Sequence, residues 1–374
     1  EFCLLRWVME CIQESPFLNL QLVVTGMHLS PEFGLTVNEI KADGFVVDRC
    51  VEMLVSSDTP VGITKSIALG LIGFADVISD IEPDILLVLG DRYEIMAAAI
   101  SAMIARVPLA HLHGGEATEG SIDEAIRHSI TKMSHLHFVA TDEYRHRVIQ
   151  LGEQPESVFQ VGGLGIDSIR NLDLLERKNL EKSLGFQFME RNLLITFHPV
   201  TLENKSCEYQ MAELLAALHG LEDTYLIFTM PNSDTDGRVL FKQIQTFVSQ
   251  HNNASVFTSL GQLRYLSCIA QVDAVIGNSS SGLAEVPSFK KATINIGDRQ
   301  RGRMKASSVI DCVPERSAIL KALQKIYLDK FQHKLKSSVN PYGEGGASES
   351  IVEILESANL DDIVKKSFYD IDFL

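Results

Sequence analysis

The sequence predicts an α/β protein of parallel sheets with helical crossovers, arranged as two domains, and three observations carry that expectation. The chain has 374 residues, more than one hydrophobic core usually organises. Short β-branched apolar runs alternate with longer helical patterns through most of its length. After a charged helical stretch near 172–192, the same alternation starts again at "RNLLITF".

In the first half, strands are expected at "LQLVVTG", "ILLVLG", "PLAHLHG", "LHFVAT" and "VFQVGG". Helices are expected at "ITKSIALGLIGFADVISDI" and "EIMAAAISAMIAR", whose apolar residues suit packing on a sheet. "TYLIFTM", "ASVFTSL", "DAVIGN" and "ATINIG" continue the strands of the second half. The implied division is 1–171, 172–350 and a last helix, 351–374, which follows the Gly-rich "NPYGEGGASES" and crosses back to the first domain.

Composition narrows the function classes. With 49 acidic against 33 basic residues the net charge is -16, which excludes nucleic acid or an anionic membrane as the main partner. Any anionic ligand needs a local basic pocket. No apolar run of membrane-spanning length and no signal peptide are read in the chain, and the six cysteines lack C-x-x-C spacing. A reduced, cytoplasmic protein is expected.

In open parallel sheets, ligands bind beyond the carboxyl ends of the strands. Those ends carry Asp91 and Arg92, Glu116, His198, then Asn278, Ser279 and Ser280, and finally Asp298 and Arg299. Domains facing each other across a cleft would set carboxylates of one against phosphate-holding groups of the other, an arrangement suited to an anionic sugar compound. Asp91 and Glu116 have an alternative role as caps of the following helices. Glu116 follows Gly114 and Gly115, which allow close backbone approach or simply a tight turn. Ser121 and Glu124 form an S-x-x-E capping box, so Glu124 is read as structural. Asp123 either complements the helix dipole, pairs with Arg127 one turn on, or points with Arg127 into the cleft.

His111 and His113, like His135 and His137, alternate on apolar strands and are read as core residues; no zinc motif accompanies them. His198 differs, standing at a strand end before Pro199. In "GNSSSGLAEVPS" the backbone and the hydroxyls of Ser279 and Ser280 could hold a phosphate or only cap a helix. Glu285, about one and a half turns along that helix, could reach a ribose diol or lie exposed. "PNSDTDG" opens like a calcium loop, but Gln243 stands where the bidentate glutamate belongs. No metal is expected.

These motifs resemble those of the hydrolysing UDP-N-acetylglucosamine 2-epimerases of sialic-acid and related nonulosonate biosynthesis. "VTGMH", "GDRYE", "HGGE", "DEAIRHSITKMSHLH", "RVIQLGE", "FHPVT", "GNSSSGLAEVPS" and "INIGDRQRGR" stand in family order over most of the chain. The resemblance implies a GT-B fold, two Rossmann-like domains with a nucleotide-sugar cleft between them, no cofactor, and a homo-oligomer, dimer or tetramer. It implies that Asp91, Glu116 and Asp123 are acid/base carboxylates and that His198 faces the departing diphosphate. Arg92, Ser279, Ser280 and Arg299 resemble nucleotide or phosphate contacts, and Glu285 the ribose-binding glutamate. Arg127, Asn232 and Asn278 complete the candidate substrate-side set.

The family begins with a strand and a T-G-T-R-A-E-x-G loop, whereas this chain opens "EFCLLRW", with Glu1 at the loop glutamate. An exposed sheet position and weakened UDP binding are therefore expected. Three rival readings remain: a UDP-2,4-diacetamido-bacillosamine hydrolysing 2-epimerase of legionaminic-acid synthesis, a GT-B glycosyltransferase, and a nucleotide-sugar-binding protein without catalysis.

Overall fold

The computed structural model describes residues 1–57, 59–118, 122–198, 206–230 and 237–371. They form two compact units. The first holds Glu1–Glu116, Ile122–Asp167 and Gly345–Leu374, and the second Ala117–Ser121 and Ser168–Glu344.

In the first unit, β1 (Val23–Thr25) pairs parallel with β2 (Arg49–Val51), while β3 (Leu86–Leu89), β4 (Leu109–Leu112), β5 (Leu136–Val139) and β6 (Val158–Gln160) form a separate parallel sheet in that order. Among the described residues β3 pairs only with β4, and β1 only with β2. β4 and β5 are buried along their whole length, as expected where helices cover both faces of a parallel sheet. The three-residue β2 was not foreseen, because two of its three side chains are exposed and leave no apolar pattern.

The helix Pro60–Ile81 starts where Thr59 accepts a hydrogen bond from the Gly62 amide and Pro60 sets the first turn. It corrects one expectation. Over 22 residues, with a mean hydropathy of 1.7 in its most apolar stretch, it is long and apolar enough to cross a membrane by length and composition. Here Phe74, Val77 and Ile78 pack with Ala97, Ala98 and Ala102 of the helix Tyr93–Ala105, while Val61, Leu69 and Ile72 lie on its exposed side.

In the second unit β7 (Arg191–Thr196), β8 (Thr224–Thr229), β9 (Ala254–Phe257), β10 (Ala274–Gly277), β11 (Ala292–Ile296) and β12 (Val309–Cys312) form one parallel sheet, ordered β12-β11-β10-β7-β8-β9. Chain order reverses between β7 and β10, the switch point at which doubly wound sheets bind ligands. Both units are Rossmann-like, as expected from the sequence.

The units divide at 167/168 and 344/345 rather than at 171/172 and 350/351, and Asp167 gives the reason. Its fully buried carboxylate accepts hydrogen bonds from the backbone amides of Gly346, Ala347 and Ser348 and from the Ser348 hydroxyl, capping the helix Ala347–Ser357 and fixing it to the first unit. That helix ends at Ser357, so 351–374 is not one helix. The segment after it is irregular: Lys366 donates to Glu153 Oε2 and to the carbonyls of Lys132 and Ser134, and the Tyr369 amide donates to the Gly152 carbonyl.

Asp167→Asn, which turns an amide donor toward those N–H groups, is expected to lower stability by roughly 2–3 kcal/mol with helix content kept; urea unfolding measures this, and a loss under roughly 0.5 kcal/mol contradicts it.

Candidate functional site

In the first unit the candidate residues are built on two strand ends and one helix. β3 runs into Gly90, Asp91 and Arg92; β4 runs into His113, Gly114, Gly115 and Glu116; the helix Ile122–Met133 carries Asp123, Glu124 and Arg127. Arg127, expected on the substrate side, is buried, only 2% exposed. Its Nη2 donates to Asp91 Oδ2, and its Nη1 donates to the Glu116 carbonyl at 2.9 Å and to Glu124 Oε2 at 3.2 Å. One guanidinium therefore braces both strand ends. Asp123 is half-buried in the first turn of the helix. Glu124 also lies 3.1 Å from His128 Nε2, which fits a structural role, while its capping partner Ser121 lies outside the described residues.

The turn before Glu116 is tight for a steric reason. Gly115 has φ +75°, and a Cβ there would stand 2.4 Å from the Tyr144 carbonyl oxygen, so only glycine fits. His113 also has a positive φ, +61°. Its Nδ1 is 2.8 Å from Glu116 Oε1, so His113 is not the core residue the strand pattern suggested. His111 and His137 are in the core as read, whereas His135 is only half-buried. His111 is fully buried, with Nε2 donating to the Gly90 carbonyl at 2.8 Å and Nδ1 3.1 Å from Thr131 Oγ1. His137 pairs with Glu153 at 3.0 Å, and His135 Nδ1 accepts from the Leu109 amide.

Arg92 is half-buried and bonded to Glu94, at 3.2 and 3.4 Å. The Glu1 carboxylate lies 3.8 Å from both Arg92 and His28; His28 beside it, with the nearby positive charges, holds it down to about 2.

In the second unit the site stands at the β7/β10 switch point. Gly277 has φ +138°, and a Cβ there would lie 1.9 Å from the Thr196 carbonyl oxygen, so the two strand ends meet backbone to backbone. His198, 8% exposed, follows directly. Its amide donates to Asn278 Oδ1 at 2.7 Å, and Asn278 Nδ2 donates to the His198 carbonyl at 2.8 Å. Arg299 Nη1 and Gln300 Nε2 donate to the Asn278 carbonyl at 3.0 and 2.9 Å. Asn278, one of the candidate substrate-side residues, is buried and locks the His198 backbone. Burial, with Arg299 nearby, lowers the His198 imidazole to about 4, so it is neutral near pH 7 and can donate a hydrogen bond without carrying charge.

Ser279 and Ser280 are half-buried ahead of a helix of only four residues, Ser281–Ala284. The expected longer helix stops because Pro287 follows. Glu285 ends it, accepts a hydrogen bond from the Ser281 hydroxyl, and is raised above the usual carboxylate range by burial. It is not an exposed helical glutamate. Asn232 and the rest of 231–236 lie outside the described residues. No group of three or more His, Cys, Asp or Glu side chains among the described residues could hold a metal ion.

Since burial lowers His111 to about 3, below its ordinary value near 6.5, its contribution to stability is complete above about pH 6.5 and is lost as pH falls toward 3. By pH 5 that loss is about 2 kcal/mol. Urea unfolding at pH 7 and pH 5 is therefore expected to show a smaller difference in His111→Asn than in the parent protein, by about that amount; an equal difference contradicts it.

The profile of the UDP-N-acetylglucosamine 2-epimerase family matches residues 10–356. Over 373 residues the chain is 40% identical to a Campylobacter jejuni protein named GDP/UDP-N,N'-diacetylbacillosamine 2-epimerase (hydrolyzing), covering 99% of this chain and 96% of that one. It is also 40% identical to the Escherichia coli polysialic acid biosynthesis protein P7, covering 99% and 95%. Among solved structures, the UDP-GlcNAc 2-epimerase from Neisseria meningitidis bound to UDP-GlcNAc superposes with a TM-score of 0.81 at 18% identity, covering 95% of this chain and 96% of that one.

Proposed function

Because the chain belongs to the UDP-N-acetylglucosamine 2-epimerase family, we propose that it is a hydrolysing 2-epimerase of a UDP-2-acetamido sugar, converting UDP-N-acetylglucosamine and water to N-acetylmannosamine and UDP. The observation that carries this reading is the pairing of Asp91 and Glu116 through one buried arginine, with Asp123 on that arginine's own helix. Carboxylates supplied from separate elements are what inversion at a carbon centre needs, because one face must lose a proton and the other must gain one.

The chemistry proceeds in two steps. A carboxylate takes the C2 proton as the bond from C1 to the diphosphate oxygen breaks, leaving UDP and 2-acetamidoglucal. Water then adds its hydroxyl at C1, and a proton is delivered to C2 on the opposite face. The leaving diphosphate requires preorganised donors. Arg299, Ser279, Ser280 and the neutral imidazole of His198, gathered at one switch point, suit that role, and Glu285 suits a ribose diol.

A second substrate reading has its own support. The C. jejuni relative is named for diacetylbacillosamine and the E. coli relative for polysialic acid, each at 40% identity. Identity therefore does not separate the two sugars.

The test is incubation with each UDP-sugar in D₂O, following UDP and product by NMR. UDP release with deuterium at an inverted C2 is expected for one of them. Release only when an acceptor is present, with C2 retained, overturns the reading in favour of glycosyl transfer. Glu116→Gln and Asp123→Asn are each expected to lower turnover by roughly 100-fold or more with the fold intact; near-parental rates remove them from the acid/base set.

A further inference from the structure

The Glu116 side chain is held by a residue that strand periodicity assigns to the core. His113 follows β4 directly, and its amide donates to the Phe138 carbonyl at 2.9 Å, so its backbone is fixed to the sheet end. With φ +61° it occupies the left-handed region, which residues other than glycine rarely enter and which Asn, Asp and His tolerate best. Such outliers persist where the surroundings enforce them, often at functional sites.

The ring sits between two partners. The Leu164 amide approaches Nε2 at 3.5 Å, and Nδ1 lies 2.8 Å from Glu116 Oε1. A backbone N–H can only donate, so Nε2 carries the lone pair and the proton sits on Nδ1, from which it donates to the carboxylate. Both side chains are largely removed from water, 20% and 7% exposed, where a charge-assisted hydrogen bond is strong. At the other end of the residue, Arg127 holds the Glu116 carbonyl. Backbone and carboxylate are thus fixed by different groups, and the torsions between them are no longer free.

We propose that His113 is a positioning residue that aims the Glu116 carboxylate at the sugar, a role that rests on the reading of Glu116 as an acid/base group. It touches Glu116 rather than the reacting atoms, and its effect is on the rate of proton transfer rather than on nucleotide affinity.

Two substitutions separate the hydrogen bond from the backbone conformation. His113→Gly accepts the positive φ and removes the donor. His113→Asn also tolerates it and returns an N–H near the position of Nδ1. The experiment measures kcat and KM on whichever UDP-sugar the parent enzyme hydrolyses, together with UDP affinity. The glycine variant is expected to lose about 10- to 100-fold in kcat, with KM and UDP affinity within about 3-fold, and the asparagine variant to recover most of the loss. A glycine variant at the parental rate, or an asparagine variant no better than glycine at equal thermal stability, overturns the proposal. Should the glycine variant not fold, the ¹⁵N shifts of labelled histidine in the parent enzyme decide: a protonated Nδ1 at His113 supports the proposal, and a protonated Nε2 overturns it. A parent enzyme that turns over no UDP-sugar fails the functional reading itself, and the proposal with it, before any variant is compared.

Discussion

The first unit depends on how it accommodates one buried cation. A guanidinium taken out of water is strongly unfavourable unless its donors are matched by well-placed acceptors, and Arg127 is matched by Asp91, by the Glu116 carbonyl and by Glu124. These acceptors come from the end of β3, the end of β4 and the helix itself. Satisfying the arginine therefore fixes three segments at once, and the segments it fixes are those that present the carboxylates. His111 adds to the same frame, donating to the carbonyl of Gly90 one residue before Asp91. Arg127 and His111 are buried, while the side chains of Asp91 and Asp123 are only half-buried.

The second unit braces its strand ends through a side-chain amide. The Asn278 amide satisfies both backbone groups of His198 across the β7/β10 junction, and the close approach at Gly277 leaves no room for a side chain between the strands. The backbone that carries the imidazole is thereby held in place. Its neutrality follows from burial beside Arg299.

Much of this was legible in the sequence where periodicity and chain order carry the signal. Both Rossmann-like units, five of the six strands among the first unit's described residues, and the positions of Asp91, Glu116 and His198 at strand ends follow from apolar runs and their boundaries. What was not legible depends on contacts between distant residues. Arg127 and Asn278 carry polar side chains in motif positions, and sequence spacing could not show which groups of the fold they brace. His113 alternates with His111 as a core residue would, yet the chain leaves the strand after Leu112; the glycines that follow were the available hint of a left-handed turn. Glu285 was misplaced because Pro287 was not given its weight as a helix stop.

If Arg127 and Asp91 act as one unit, a double-mutant cycle measures their coupling directly. Urea unfolding of Arg127→Met, Asp91→Asn and the double variant gives their coupling energy, free of the separate costs of each change. The expected coupling is about 2 kcal/mol, between that of an exposed pair and a fully buried one, because the aspartate side chain is 24% exposed while the arginine is 2% exposed. Additive losses, with coupling below about 0.3 kcal/mol, would show that the two do not act as one unit.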